Sequence, residues 1–193
     1  GVNEGGRYAR QGRTTVDQTL GVPQNKKIII KASNNHAAQL DRIAEFNLHN
    51  KFWLDRRNDT VCLLIQPTVR IEYSQDSLAG IHIRKTARGS RYQDAQQYAE
   101  QIDYTINQLD SVLSIDPVYR LTRHNRYHAQ EVEVTISLPA GTVVYLDPSL
   151  RKLLYAVENT EDTWSGDLVG QEWIMTPDGL APVLQNKPAE KLD

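Results

Sequence analysis

These 193 residues lack most of what lets composition alone name a class of protein. There is one cysteine, Cys62, so an internal disulfide and a cysteine-built zinc site are both excluded; a lone thiol inside an apolar run reads as core packing. The longest apolar run, Val61 to Ile65, has five residues, against roughly 20 for a bilayer-spanning helix. The stretch is therefore expected to be soluble. No charge dominates: 22 Lys and Arg face 24 Asp and Glu, for a net charge of -2. That balance gives no basic field for nucleic acid, which is not an expected partner, and a 24% charged fraction is too ordinary for a disordered acidic or basic chain. Motifs of chemistry are missing too. The chain has no Gly-x-Ser-x-Gly, no His-Glu-x-x-His, no P-loop and no Gly-x-Gly-x-x-Gly. Length fits one ordinary domain.

The charge that is present is skewed. Residues 1–31 hold six Lys and Arg against two acids, and residues 147–193 hold four against nine. Gly1 to Arg13 carries four glycines and three arginines with no apolar period, so it reads as a linker; basic residues also cluster next to spanning helices, and a membrane segment before it is expected. Residues 182–193, with two prolines and few apolar side chains, read as a flexible tail, leaving residues 14–181 as a single β-rich domain.

Within that domain period 2 dominates. Ile28, Ile30 and Ala32; Val69, Ile71 and Tyr73; Ala79, Ile81 and Ile83; and Val132, Val134, Ile136 and Leu138 each mark a half-buried strand. Three segments share the form strand, polar turn, strand: Ile71–Ile83, Ile102–Ile115 and Val132–Leu146. Their starts lie 31 and 30 residues apart. A fixed period of that size predicts stacked β units, a β-solenoid or β-roll; the alternative is a set of ordinary hairpins in an antiparallel β-sandwich. One segment departs from alternation. Ser90 and Gln93 fit a capping box, and Ala95, Tyr98, Ala99 and Ile102 form one apolar stripe, which predicts a short crossover helix over about 90–102. Turns are marked by Pro139-Ala140-Gly141, Asp147-Pro148 and Asp178-Gly179.

Candidate chemistry is sparse. Arg120, Arg123, His124, Arg126 and His128 form the densest titratable group, and the two histidines stand four apart, a metal-ligand spacing on a helix. Pro117 and the strand pattern from Gln130 argue instead for a loop or strand, where the rings would sit about 13 Å apart, so no metal site is expected. A second basic set, Arg84, Lys85, Arg88 and Arg91, surrounds the helix start. If both sets met, they would suit an anionic headgroup or polysaccharide. Acids that could act in pairs are Asp55, Asp59, Asp76, Asp94, Asp103, Asp110 and Asp116, but aspartates favour turns for their own backbone hydrogen bonds. Asn58-Asp59-Thr60 matches a glycosylation acceptor, a match common by chance. Trp53, Trp164 and Trp173 fit either sugar stacking or core filling. No catalytic residue, cofactor or metal ligand is singled out.

Specific strings carry more. Arg126 to Asp147, with its alternating Val, Ile and Leu before the Pro-Ala-Gly turn, and Asp167 to Leu180, with Gln171-Glu172-Trp173, resemble the C-terminal region of PspC-domain (phage shock protein C) proteins of Bacteroides-type bacteria. Ala87 to Ser90, Asp94-Ala95 and Tyr98 to Tyr104 are similar to that family's helix between strands, and Tyr8 to Thr14 to its leading segment. The likeness covers roughly residues 7–181. It implies an inner-membrane parent protein with this region on the periplasmic side, and a relation to adhesin-type and LiaF-type envelope β domains. The function so implied is a noncatalytic binding module of an envelope-stress protein, with an envelope protein or glycan as partner and self-association through sheet edges. An adhesin-like or spacer domain is the alternative, and a glycan-active enzyme on a β-solenoid a further one.

Overall fold

The computed structural model describes residues 10–33, 44–47, 51–57, 60–121 and 127–184; for 44–47, 51–57, 60–63 and 120 it describes the backbone alone. In chain order the strands are β1 (Arg10–Thr19), β2 (Lys27–Ala32), β3 (Ala44–Asn47), β4 (Lys51–Arg57), β5 (Thr60–Ile65), β6 (Thr68–Tyr73) and β7 (Gly80–Gly89). Helix α1 (Tyr92–Glu100) follows. Then come β8 (Asn107–Leu109), β9 (Val112–Ile115), β10 (Tyr119–Leu121), β11 (Glu131–Leu138), β12 (Val143–Leu146), β13 (Gln171–Thr176) and β14 (Gly179–Pro182). The chain is mainly β, as the alternation predicts.

Two mixed sheets carry the fold, in the orders β1-β7-β11-β6 and β14-β13-β12-β2-β9-β8, and neither closes on itself. Their inner faces meet. Register aligns Ile83 with Val134 and Val134 with Val69, and Ile81 with Ile136 and Ile136 with Ile71, so the first sheet buries whole rows of branched side chains. In the second, Ile30 lies between Leu113 and Leu146, and Val144 between Ile28 and Trp173. All belong to one core. A third, antiparallel sheet, β10-β5-β4-β3, joins that core through Ile65, Tyr119 and Leu121.

The antiparallel sandwich is not what forms: β6 runs parallel to β11, and β2 runs parallel to both β9 and β12. The three segments of similar spacing also part ways. β8 and β9 do form a hairpin; β6 and β7 are separated by β11; and β11 and β12, although consecutive, lie in different sheets. Spacing and alternation alone do not encode which edge a strand finds.

Helix α1 covers the first sheet as the stripe predicts, with Ala95 and Ala99 fully buried and Ile102 nearly so. Its start differs from the capping-box expectation. Arg91, not Ser90, occupies the N-cap position, no side chain caps the helix, and Arg91 instead reaches Asp94 in the first turn, Nε to Oδ2 at 2.9 Å. The helix also reveals a boundary that composition misplaces. Arg10 to Arg13, assigned to the linker, are the first four residues of β1, paired with Thr86 to Gly89. A Cβ on Gly12 would lie 2.2 Å from the Ala95 carbonyl carbon, and one on Gly89 would lie 2.9 Å from the Ala95 nitrogen. Gly12, one of the glycines that make the segment look like linker, is with Gly89 a seat on which the helix rests. At the other end β14 includes Pro182, assigned to the tail, while residues 185–193 lie outside the described residues.

Lys85 completes the seat. It is 8% exposed, and its Nζ donates to the Ile102 carbonyl at 2.8 Å, just past the end of α1, where a cation suits the helix dipole. Burial lowers its pKa, and the Asp103 carboxylate opposes that shift. Substituting Gly12→Ala is expected to cost about 1–3 kcal/mol, the range for forcing atoms into a packed contact. Chemical denaturation checks this, with Thr15→Ala on the exposed side of the same strand expected to stay within about 0.5 kcal/mol of the parent.

Candidate functional site

The first basic set does not form a free cationic patch. β7 turns Arg84 to the outer face, where it bridges to Glu133 on β11, and Arg70 of β6 lies 3.9 Å from the same carboxylate. Lys85 points the other way, into the core. Arg91 is paired with Asp94, and Arg88 is exposed. Of the second set, Arg123, His124 and Arg126 lie outside the described residues, and Arg120 is described as backbone of β10 only. His128 does meet the first set. Its carbonyl accepts from the Arg88 amide at 2.7 Å, and its ring stacks on Tyr98 of α1 with centroids 3.5 Å apart and planes 3° from parallel. So the second set's described end comes to β7 as a packing contact.

The aspartates behave as turn residues. Asp76, between β6 and β7, accepts from the Ser74 hydroxyl at 2.6 Å and the Leu78 amide at 3.0 Å, and these bonds hold its carboxyl below its usual pKa, Ser74 most strongly. Asp110 turns β8 into β9 with φ of 54°. Asp94 sits in the first turn of α1. Asp103 and Asp116 come together, lining a polar hollow of about 190 Å³ with Ser33, Asn107 and Ser114. Asp116 also accepts from the Val118 amide at 3.2 Å, and its carbonyl receives the Tyr104 hydroxyl at 2.8 Å. Asp55 is described as backbone of β4, and Asp59 and the acceptor at Asn58 lie outside the described residues, as do the side chains of Cys62 and Trp53.

A larger polar concavity, about 510 Å³, opens at one end of the first sheet and involves residues the sequence reading did not single out. Asp17 of β1 and His82 of β7 are register partners, with Oδ1 and Nδ1 2.6 Å apart. Glu72, Asp76 and Ser137 line the same space, and Gln18 turns a buried Oε1 without a hydrogen-bond partner toward it. Only the pairing of β1 with β7 unites Asp17 and His82, 65 residues apart, so no sequence window contains the signal.

The tryptophans separate cleanly. Trp173 is core, 3% exposed, with Nε1 donating to the Leu168 carbonyl at 2.7 Å. Trp164 is 63% exposed on the loop between β12 and β13. That loop is tied down from within. Asn159 Oδ1 accepts from the Glu161 and Thr163 amides, its Nδ2 donates to the Val157 and Thr163 carbonyls, and Ser165 Oγ accepts from the Val157 amide at 2.9 Å. Ala156 and Asp162 are both held at positive φ, 49° and 52°. Arg151 lies over the indole, its guanidinium carbon 5.4 Å from the ring centroid, and pairs with Asp167 at 2.9 Å.

Asp76 supplies a pH test. Because folding lowers its pKa, its stabilising contribution is present above the ordinary unfolded value of 3.8 and is lost as pH falls through the folded midpoint. Carboxyl-carbon NMR is expected to place the Asp76 midpoint below 3.8, and Ser74→Ala to move it upward.

A family model described as the ToastRack found in some PspC matches residues 53–182. No curated protein matches the chain. Among solved structures, one described as a "putative adhesin" from Bacteroides fragilis NCTC 9343 aligns at 9% identity with a TM-score of 0.25, taking in 70% of this chain and 39% of that one. Among the described residues no helix is long and apolar enough to cross a membrane. The match over residues 53–182 places the chain in the family of ToastRack domains that occur in the C-terminal region of some PspC proteins.

Proposed function

We propose that the chain is a noncatalytic interaction module of a membrane-anchored PspC-type parent, exposed on the periplasmic side and engaging another envelope component. The observation that carries this reading is how the charged groups of the first sheet are used. Arg84 and Arg70 share the Glu133 carboxylate across three strands, Arg91 holds Asp94, and Asp17 meets His82. Charges paired in this way leave a polar outer surface suited to recognition. The parallel registers of β6 with β11 and of β9, β2 and β12 support a β-roll as the finer description of the fold.

The β1 edge offers a second means of contact. Gln96 of α1 takes both backbone groups of Arg13, accepting from its amide at 3.0 Å and donating to its carbonyl at 2.7 Å, as a neighbouring strand would. Strand alternation then turns the backbone of Thr15, Asp17 and Thr19 to the same open side, where a partner strand can add. Crosslinking of the intact parent in its own envelope, followed by mass spectrometry, is expected to join this region repeatedly to one other envelope component. Recovery of nothing but its own copies would overturn the reading in favour of a spacer.

A further inference from the structure

We propose that the loop carrying Trp164 is a saccharide-binding site, with the indole as a stacking platform for a pyranose with equatorial hydroxyls. This names a ligand for the interaction module and so rests on that reading. Four observations meet here. An indole is the largest apolar surface a side chain offers, and this one is left 63% exposed. It is also immobilised. A Cβ on Gly166 would lie 2.3 Å from ring atom Cζ3, so the ring rests directly on that glycine, and the Asp167 amide donates to the Trp164 carbonyl at 2.9 Å. The Asn159 bonds fix the loop from below, and Ala156 and Asp162 are kept in the left-handed region, strain of the kind that collects where a loop must present a side chain in one position.

The surroundings decide the class of ligand. Protein hot spots sit in an apolar patch that excludes water around the anchor. The groups shown around Trp164 are polar or charged: Thr163 and Ser165 on either side of it in the chain, Arg151 over the ring, and Asp167 paired with Arg151. A pyranose with equatorial hydroxyls matches this inverted arrangement, because its C–H faces are flat and apolar while its rim is all donors and acceptors. The Arg151 and Asp167 pair, at 2.9 Å, presents a planar guanidinium and a carboxylate beside the ring, a geometry suited to adjacent hydroxyls. The guanidinium sits over the indole, its carbon 5.4 Å from the ring centroid, and its Nη1 donates to the carbonyl of Gly166, the residue on which the ring rests, at 3.4 Å; the 63% of the indole that stays exposed is what a sugar would meet. Ordering the platform in advance removes a cost that binding would otherwise meet, which matters for a site built on one ring.

Indole N–H resonances of the folded chain test this. On titration with cellotetraose or chitotetraose, the Trp164 signal is expected to shift saturably with a Kd on the order of 1 mM, while Trp173, bonded to Leu168 in the core, stays fixed and reports an intact fold. Followed at the Gly166 and Asp167 amides, the response should vanish in Trp164→Ala and persist in Trp164→Tyr. No response to either sugar up to about 10 mM, or an equal response in Trp164→Ala, would overturn the saccharide assignment. That failure would leave the interaction module standing, since the crosslinking result is independent of Trp164.

Discussion

One passage of chain holds the molecule together: the turn at Pro139–Thr142, where β11 leaves one sheet and β12 enters the other. Leu138 and Val144, on its two sides, are fully buried in the common core. The turn is fixed at both ends. The Leu138 carbonyl accepts from the Ser74 amide at 2.9 Å, and on the other side Gly141, with φ of 89°, donates its amide to the Met175 carbonyl while the Thr142 carbonyl accepts from the Met175 amide at 2.8 Å. The turn thereby links the first sheet to β13 of the second. Everything on the surface is positioned by reference to this joint: the outer face of β7 and β11 on one side, and the loop between β12 and β13 on the other.

Much of this was legible because burial in a sheet writes itself as alternation. Val132, Val134, Ile136 and Leu138 are all buried, and the intervening Glu133, Thr135 and Ser137 are not. The stripe of α1 was readable for the same reason at a period of 3.6. Pairing was not readable. That β11 lies between β6 and β7, parallel to one and antiparallel to the other, depends on contacts between residues 45 to 65 apart, which no local pattern records. The leading boundary failed for a related reason. Gly12 is a linker residue by composition and a helix seat by position, and the helix it meets lies 83 residues further on.

The candidate site divides along the same line. Asp76 and Asp110 were readable as turn residues, since an aspartate bonds to backbone within a few residues of itself. Lys85 was counted with a surface cluster because its neighbours Arg84 and Arg88 are cations, but strand alternation sends it inward, where the Ile102 carbonyl receives it. Trp164 and Trp173 could not be separated from sequence. Both follow polar stretches, yet one fills the row beside Val144 and the other stands on Gly166.

The distribution of unspent chemistry follows from these constraints. Across the first sheet, register sets Asp17 opposite His82 and Glu133 opposite Arg84, and Arg70 reaches the same Glu133 carboxylate, so these charges are held by one another. Tyr104 and Tyr119, whose hydroxyls donate to the Asp116 and Gln130 carbonyls, are pushed up in pKa by burial and act as ties between connections. The loop between β12 and β13 is different, because Asn159 and Ser165 satisfy part of its own backbone while Val69 of β6 and Leu180 of β14 bond its Leu153, Tyr155, Glu158 and Thr160 backbone. A loop held both from within and by its neighbours can leave its largest side chain, Trp164, facing solvent without collapsing onto it. In this fold, recognition by an aromatic platform therefore asks for no change in the core, whereas recognition by charge would first have to break the pairs that hold these charges.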